Sequence, residues 1–189
     1  MSSAPRLYPM AALIRLTLIS LYLALVLPLP LLAPGDLRLW MTLAVPAGLL
    51  LLLAITSERV ELDEQGLRVG HPPWCSWWLR RGWSLRWEAI SGLTPVATSQ
   101  GGRVFYVRSQ GPGGGGRSYL LPQRIAGFDD FLTRFSAASG IDTGSVGRIT
   151  PPWTYQLLAL LSGLLLVAEL AMVTLGPFGL LGSPNQGLG

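Results

Sequence analysis

Lysine is absent from this chain: all 14 basic residues are arginine. With many Gly, Pro, Leu and Trp residues, that usage points to a GC-rich coding bias. Cysteine occurs once, at Cys75, so no disulfide can close within the chain. Histidine also occurs once, at His71. A His/Cys zinc site needs three or four ligands, and they are missing. No histidine lies in an apolar segment, so a span-borne His ligand to haem or another porphyrin is excluded. Charge is scarce as well. Only 13% of residues are charged, against about a quarter in ordinary soluble domains. The net charge of +4 is small and spread along the chain, which is no nucleic-acid footprint. It suits an anionic membrane surface.

What is abundant is apolar sequence, at 50% of residues. Met10 to Leu32 is apolar apart from Arg15, Thr17 and Ser20. About 20 such residues cross a bilayer core as a helix. A cleaved signal peptide is the rival reading, but its apolar core would be shorter. Pro28 and Pro30 bend or end this helix. Ala33 to Asp36 reads as a tight turn. A second run covers Leu37 to Thr56, and its Pro46 and Gly48 are tolerable in a span. A third covers Trp153 to Leu175, closed by Gly176-Pro177. The expected organisation is an N-terminal segment and two-helix hairpin (1–56), a soluble domain (57–142), a linker (143–152), a third span (153–176) and a flexible tail (177–189).

Arginine placement predicts orientation. Arg6, Arg59 and Arg148 lie near span ends on one side, and Arg38 stands alone on the other. The positive-inside rule then puts the N-terminus and the soluble domain in the cytoplasm. Two more ionisable residues lie within spans. Arg15, about 7–8 Å into its helix, can snorkel to headgroups. Glu169 lies about 24 Å along the third helix, where Arg38 is the expected partner. That pair would fix helix packing, contact another membrane subunit or carry a proton.

The soluble stretch alternates in the period of strands. Arg59–Asp63 and Leu67–Val69 flank a Glu64-Gln65-Gly66 turn and read as a hairpin. Ser84–Trp87, Gly92–Ala97, Arg103–Arg108 and Ser118–Leu121 are further strand candidates. Ile125, Phe128, Phe131, Leu132 and Phe135 then recur at helical spacing, with Asp129 and Asp130 early and Gly140 as a stop. The fold class expected is an α+β membrane protein: three transmembrane helices and a small antiparallel sheet or barrel closed by one amphipathic helix.

Three segments carry a resemblance. They are Val60-Glu-Leu-Asp-Glu-Gln-Gly-Leu-Arg-Val69, Leu85-Arg-Trp-Glu-Ala-Ile-Ser-Gly-Leu93 and Tyr119-Leu-Leu-Pro-Gln-Arg-Ile-Ala-Gly-Phe-Asp-Asp-Phe-Leu132. This pattern resembles the bacterial pleckstrin-homology-like domain of small membrane-anchored proteins, which often follows a transmembrane hairpin. The resemblance implies a binding or scaffolding module without catalytic residues. Related eukaryotic domains bind phosphoinositides through basic residues around the first hairpin. Here Arg59 and Arg68 stand among Glu58, Glu61, Asp63 and Glu64, which opposes that use.

No catalytic, cofactor-binding or metal-ligating constellation emerges. Nothing in sequence orients His71 or Cys75 for nucleophilic work. Asp129 and Asp130 are adjacent and face different ways, unlike metal ligands. Gly111 to Ser118 has phosphate-loop spacing but carries Arg117 where Lys is needed, and a strand and Pro122 follow where a helix should open. The segment with most to offer is Trp74 to Trp83. Trp74, Trp77, Trp78 and Trp83, with Arg80 and Arg81, suit a membrane interface or a partner protein, while packing in a small core is the competing use. The function expected is therefore non-catalytic: an integral membrane protein whose soluble domain binds membrane lipid or a protein partner. Alternatives are an assembly factor or accessory subunit of a large membrane complex, or a transporter-associated component. The first of these is similar in layout to the photosystem I assembly factors, which also place a two-helix hairpin before a soluble domain.

Overall fold

A computed structural model describes residues 5–79, 82–97, 103–110, 116–144, 146 and 152–175. In chain order the elements are β1 (Arg6–Pro9), α1 (Ala12–Val26), α2 (Leu29–Leu32), α3 (Gly35–Ile55), β2 (Arg59–Leu62) and β3 (Gly66–Gly70). There follow α4 (Pro73–Ser76), β4 (Trp83–Arg86), a 3₁₀ turn at Trp87–Ala89, β5 (Ile90–Ala97), β6 (Arg103–Ser109), β7 (Arg117–Leu120), α5 (Phe128–Ser139) and α6 (Pro152–Leu175). The protein is α+β, with two small antiparallel sheets. Among the described residues three helical segments, Ala12–Leu32, Gly35–Ile55 and Trp153–Met172, are long and apolar enough to cross a membrane. The chain divides into two compact units, Met1–Arg15 with Leu52–Pro151, and Leu16–Leu51 with Pro152–Gly189.

The first unit holds both sheets. One runs β1-β2-β3-β4 and the other β5-β6-β7. The β2–β3 hairpin forms where alternation predicts it, pairing Val60 with Val69 and Leu62 with Leu67. Asp63 builds its turn: its Oδ1 accepts from the amides of Gln65 and Gly66, at 2.8 and 2.7 Å. Pro95 lies in β5, an edge strand of the second sheet, where a missing amide donor is tolerated. The expected single sheet or barrel is thus two sheets, and their buried faces share one hydrophobic core.

The N-terminal lead is more than a polar leader. Residues Arg6 to Pro9 pair antiparallel with β2, in register from Arg6↔Leu62 to Pro9↔Arg59. On its other edge this segment meets the chain ahead of α5. Ala126 N donates to Pro9 O at 2.7 Å, Ala11 N donates to Arg124 O at 2.8 Å, and Met10 bridges to Ile125. Tyr8 alternates inward and is buried, while Leu7 is exposed.

α5 covers the core with the stripe its spacing predicts. Phe128, Phe131, Leu132 and Phe135 are all buried, whereas Ile125, expected on the same helical stripe, lies ahead of the helix in a β-bridge to Met10 and is buried there. Gly127 and Gly140 flank the helix in left-handed conformation, at φ 66° and 70°, where other residues would be strained. The Phe131 ring meets Tyr8 edge-on at 5.6 Å, and Trp87 meets Phe135 at 5.8 Å.

The second unit is built from the apolar helices. Tyr22 of α1 donates to Val45 O of α3 at 2.7 Å, and Gly48 leaves the room its ring needs. Buried Thr17 of α1 donates to Tyr155 O of α6 at 3.3 Å. These bonds satisfy hydroxyls that apolar surroundings would otherwise penalise.

Candidate functional site

The tryptophan segment is organised by its prolines. Pro72 is extended and caps a short helix that opens with Pro73, where a missing amide costs nothing. The Pro72 carbonyl accepts from Cys75 N and Ser76 N at 3.2 and 3.0 Å, and Cys75 O accepts from Leu79 N at 3.1 Å. Residues 74, 77 and 78 have i, i+3, i+4 spacing and share a face of this turn. Trp74, Trp77 and Trp78 are exposed by 52%, 82% and 46%. Trp77 and Trp78 lie 6.4 Å apart between ring centroids, and Trp77 Nε1 donates to Trp74 O at 3.2 Å.

Cys75 faces the other way and is fully buried. Its Sγ lies 3.2 Å from Ser57 Oγ, and Ser57 Oγ donates to Ala54 O at 2.6 Å. Ala54 is in the last turn of α3. The inner face of the tryptophan turn is therefore fastened to the end of the second apolar helix. Sequence reading missed this contact, because 18 residues separate Ser57 from Cys75 and neither carries a periodic signal.

Of the other residues expected at this surface, Trp83 departs. It opens β4, pairs with Val69, and packs against the core with its ring centroid 5.1 Å from Tyr119. The alternation of the strand explains this: Trp83 and Leu85 turn inward while Ser84 and Arg86 turn out. Arg80 and Arg81 lie outside the described residues, as do Gly111 to Gly115 of the glycine-rich loop.

The expected Arg38–Glu169 pair is not formed. Arg38 is exposed, and Glu169 Oε2 is buried with no hydrogen-bond partner among the described residues. Complementary depth along two helices does not fix which way either side chain points around its axis. Among the described residues no group of three or more His, Cys, Asp or Glu side chains could hold a metal.

A polar cluster joins β1 to α5. Tyr8 OH donates to Asp130 Oδ2 at 2.7 Å, and Arg134 Nε donates to both Asp130 oxygens at 3.1 Å. Arg6 Nη2 stands 3.9 Å from Asp130 Oδ2. The hydrogen bonds from Tyr8 and Arg134 hold the Asp130 carboxyl below its usual range. Burial, then the bond to Asp130, pushes the Tyr8 phenol up. The chemistry is structural: a buried ring with a satisfied hydroxyl docks the lead strand onto the closing helix.

No protein-family model matches the chain, and no solved structure does. Among curated proteins, the uncharacterized protein slr0269 of Synechocystis is 40% identical over 173 residues, which cover 89% of this chain and 85% of that protein. That identity over nearly the full length of both means the chain belongs to the same family as the Synechocystis protein.

Proposed function

We propose that this chain is a non-catalytic integral membrane protein whose sheet domain, of the pleckstrin-homology-like kind, holds a partner protein or lipid at the membrane surface. The observation that carries it is how the domain is assembled. β1 precedes the two-helix hairpin, β2 follows it, and they pair residue for residue. Tyr8 from before the hairpin and Phe131 from far beyond it share one core. Once the hairpin crosses and returns, both of its ends lie on one side, and the domain they build stays beside the bilayer. The row of strands closed by α5 supports the pleckstrin-homology-like reading. The arginine distribution supports a cytoplasmic placement.

The test is co-purification of the tagged full chain in mild detergent. A stoichiometric protein or retained lipid is the expected result, and a large stoichiometric complex would mark the chain as its accessory subunit. A monodisperse chain with neither partner nor bound lipid overturns the proposal.

A further inference from the structure

The tryptophan turn and the end of α3 are fixed to each other, and that places constraints on what covers the turn. α3 ends at Ile55, and Ser57 stands two residues beyond it. Cys75 Sγ is 3.2 Å from Ser57 Oγ. Trp74 adjoins Cys75, and Trp77 and Trp78 follow within one turn. The three rings stand on the face of the turn opposite Cys75, and the turn itself is held against the residues through which the chain leaves the second apolar helix. The polar interfacial zone of a bilayer is about 5–8 Å deep on each side, and tryptophan concentrates there, with its apolar ring among acyl carbons and its N–H toward headgroups.

Three exposed tryptophans on one face of a single turn are costly to leave in water. Each fully buried aromatic side chain contributes about 2–3 kcal/mol, and among the described residues Trp74, Trp77 and Trp78 stay exposed by 52%, 82% and 46%. By contrast Trp83 and Trp87, farther along the same domain, pack against the core. Exposure is concentrated in the indoles held beside the span.

From this juxtaposition we propose that Trp74, Trp77 and Trp78 insert into the lipid headgroup–acyl boundary and act as an additional, non-covalent anchor of the sheet domain. Cys75 and Ser57 set the height of that anchor on the second span. The inference deepens the reading of a domain at the membrane surface and rests on it: lipid itself occupies this face, and any protein partner binds elsewhere.

The probe is intrinsic fluorescence of the full chain in phosphatidylcholine vesicles, with and without bromine near the top of the acyl chains. Subtracting the spectra of Trp77→Phe and Trp153→Phe from that of the unsubstituted chain isolates each indole. Trp153 opens the third apolar helix and serves as the boundary reference. The Trp77 component should fall by about twofold or more in brominated lipid, as expected of an interfacial indole, and resist aqueous iodide. Quenching by iodide but not by bromine overturns the inference. So does protection from both quenchers, which would mean that protein, including a second copy of this chain, covers the face. As a check independent of the aromatic substitutions, a spin label at Trp74→Cys should show lipid-like accessibility to oxygen. A label at Gln65→Cys should behave as in water, since the far end of the β2–β3 hairpin lies about 20 Å along the chain from Ser57. Buried Cys75 stays in place, and the unsubstituted chain is the blank. Water-like behaviour at position 74 overturns the anchor. It leaves partner capture standing, because co-purification decides that separately.

Discussion

Tyr8 OH donates to Asp130 Oδ2 across 2.7 Å, bonding a strand that precedes the first apolar helix to the helix that closes the sheets. The residues lie 122 positions apart. The bond makes the N-terminal lead part of the domain, and the whole hairpin becomes an insertion between two paired strands. Signal-peptide cleavage after the first span would discard Tyr8 from the core.

Tyr8 therefore tests the assembly. Tyr8→Ala removes a buried ring and should destabilise the sheet domain by about 3 kcal/mol. Tyr8→Phe keeps the ring and loses only the hydroxyl, so it should cost distinctly less. Thermal unfolding in detergent micelles, followed by tryptophan emission, checks both, since Trp87 lies against Phe135. Equal effects from the two variants would mean that the ring contributes little.

The same cluster predicts a pH dependence. Asp130 titrates lower in the folded chain than its free value of 3.8. Its contribution is complete above that value and fades as pH falls through the lower folded one. Tyr8 titrates above its free value of 10.0. Its contribution is complete below 10.0 and fades as pH rises through the folded value. The unfolding temperature of the unsubstituted chain, compared with Tyr8→Phe, should lose its advantage at both extremes and keep it between them. A difference that does not change with pH would sink this account.

Gly66 tests the first sheet at its backbone. It pairs with Arg86, and a Cβ there would collide with the Leu85 carbonyl and the Arg86 backbone. Only a shift of β3 against β4 can relieve that. Gly66→Ala should cost about 1–3 kcal/mol, the range for overpacking, in the same unfolding assay. Full stability would show that the strands separate freely.

Sidedness can be read with one introduced thiol. Cys75 is fully buried, so it is a poor reporter but a quiet background. Gln65 is exposed at the tip of a hairpin. In Gln65→Cys, an impermeant maleimide should label only after the cells are opened. Labelling from outside intact cells would reverse the proposed orientation.

Among the described residues Glu169 has no hydrogen-bond partner for its buried Oε2. An unpaired carboxyl in an apolar helix is costly, and replacing it with an apolar residue of similar size removes that cost. Glu169→Leu should leave the unfolding temperature of the purified chain unchanged or raise it. If the same variant loses a co-purifying protein, the carboxyl serves that contact. A lower unfolding temperature of the isolated chain would show that Glu169 supports its own fold.

Local pattern determined a good deal by itself. Apolar runs of sufficient length mark three helices, because helix length and hydrocarbon thickness are matched quantities. The stripe from Phe128 to Phe135 is buried as read, since a helix keeps its 3.6-residue period whatever it packs against, but Ile125 is buried as a bridge residue before the helix begins. The hairpin around Gly66 was legible from alternation and turn chemistry. Tertiary structure alone decided the rest. β1 is four residues long, next to an apolar run that hides it, and its identity depends on pairing with residues fifty or more positions away. Tryptophan type does not distinguish core from surface: Trp83 packs inward because β4 fixes its parity, and Trp77 faces out because Cys75 occupies the inner face. Helix depth placed Arg38 and Glu169 at compatible heights, but azimuth comes only from packing, and Arg38 is exposed while Glu169 Oε2 is buried.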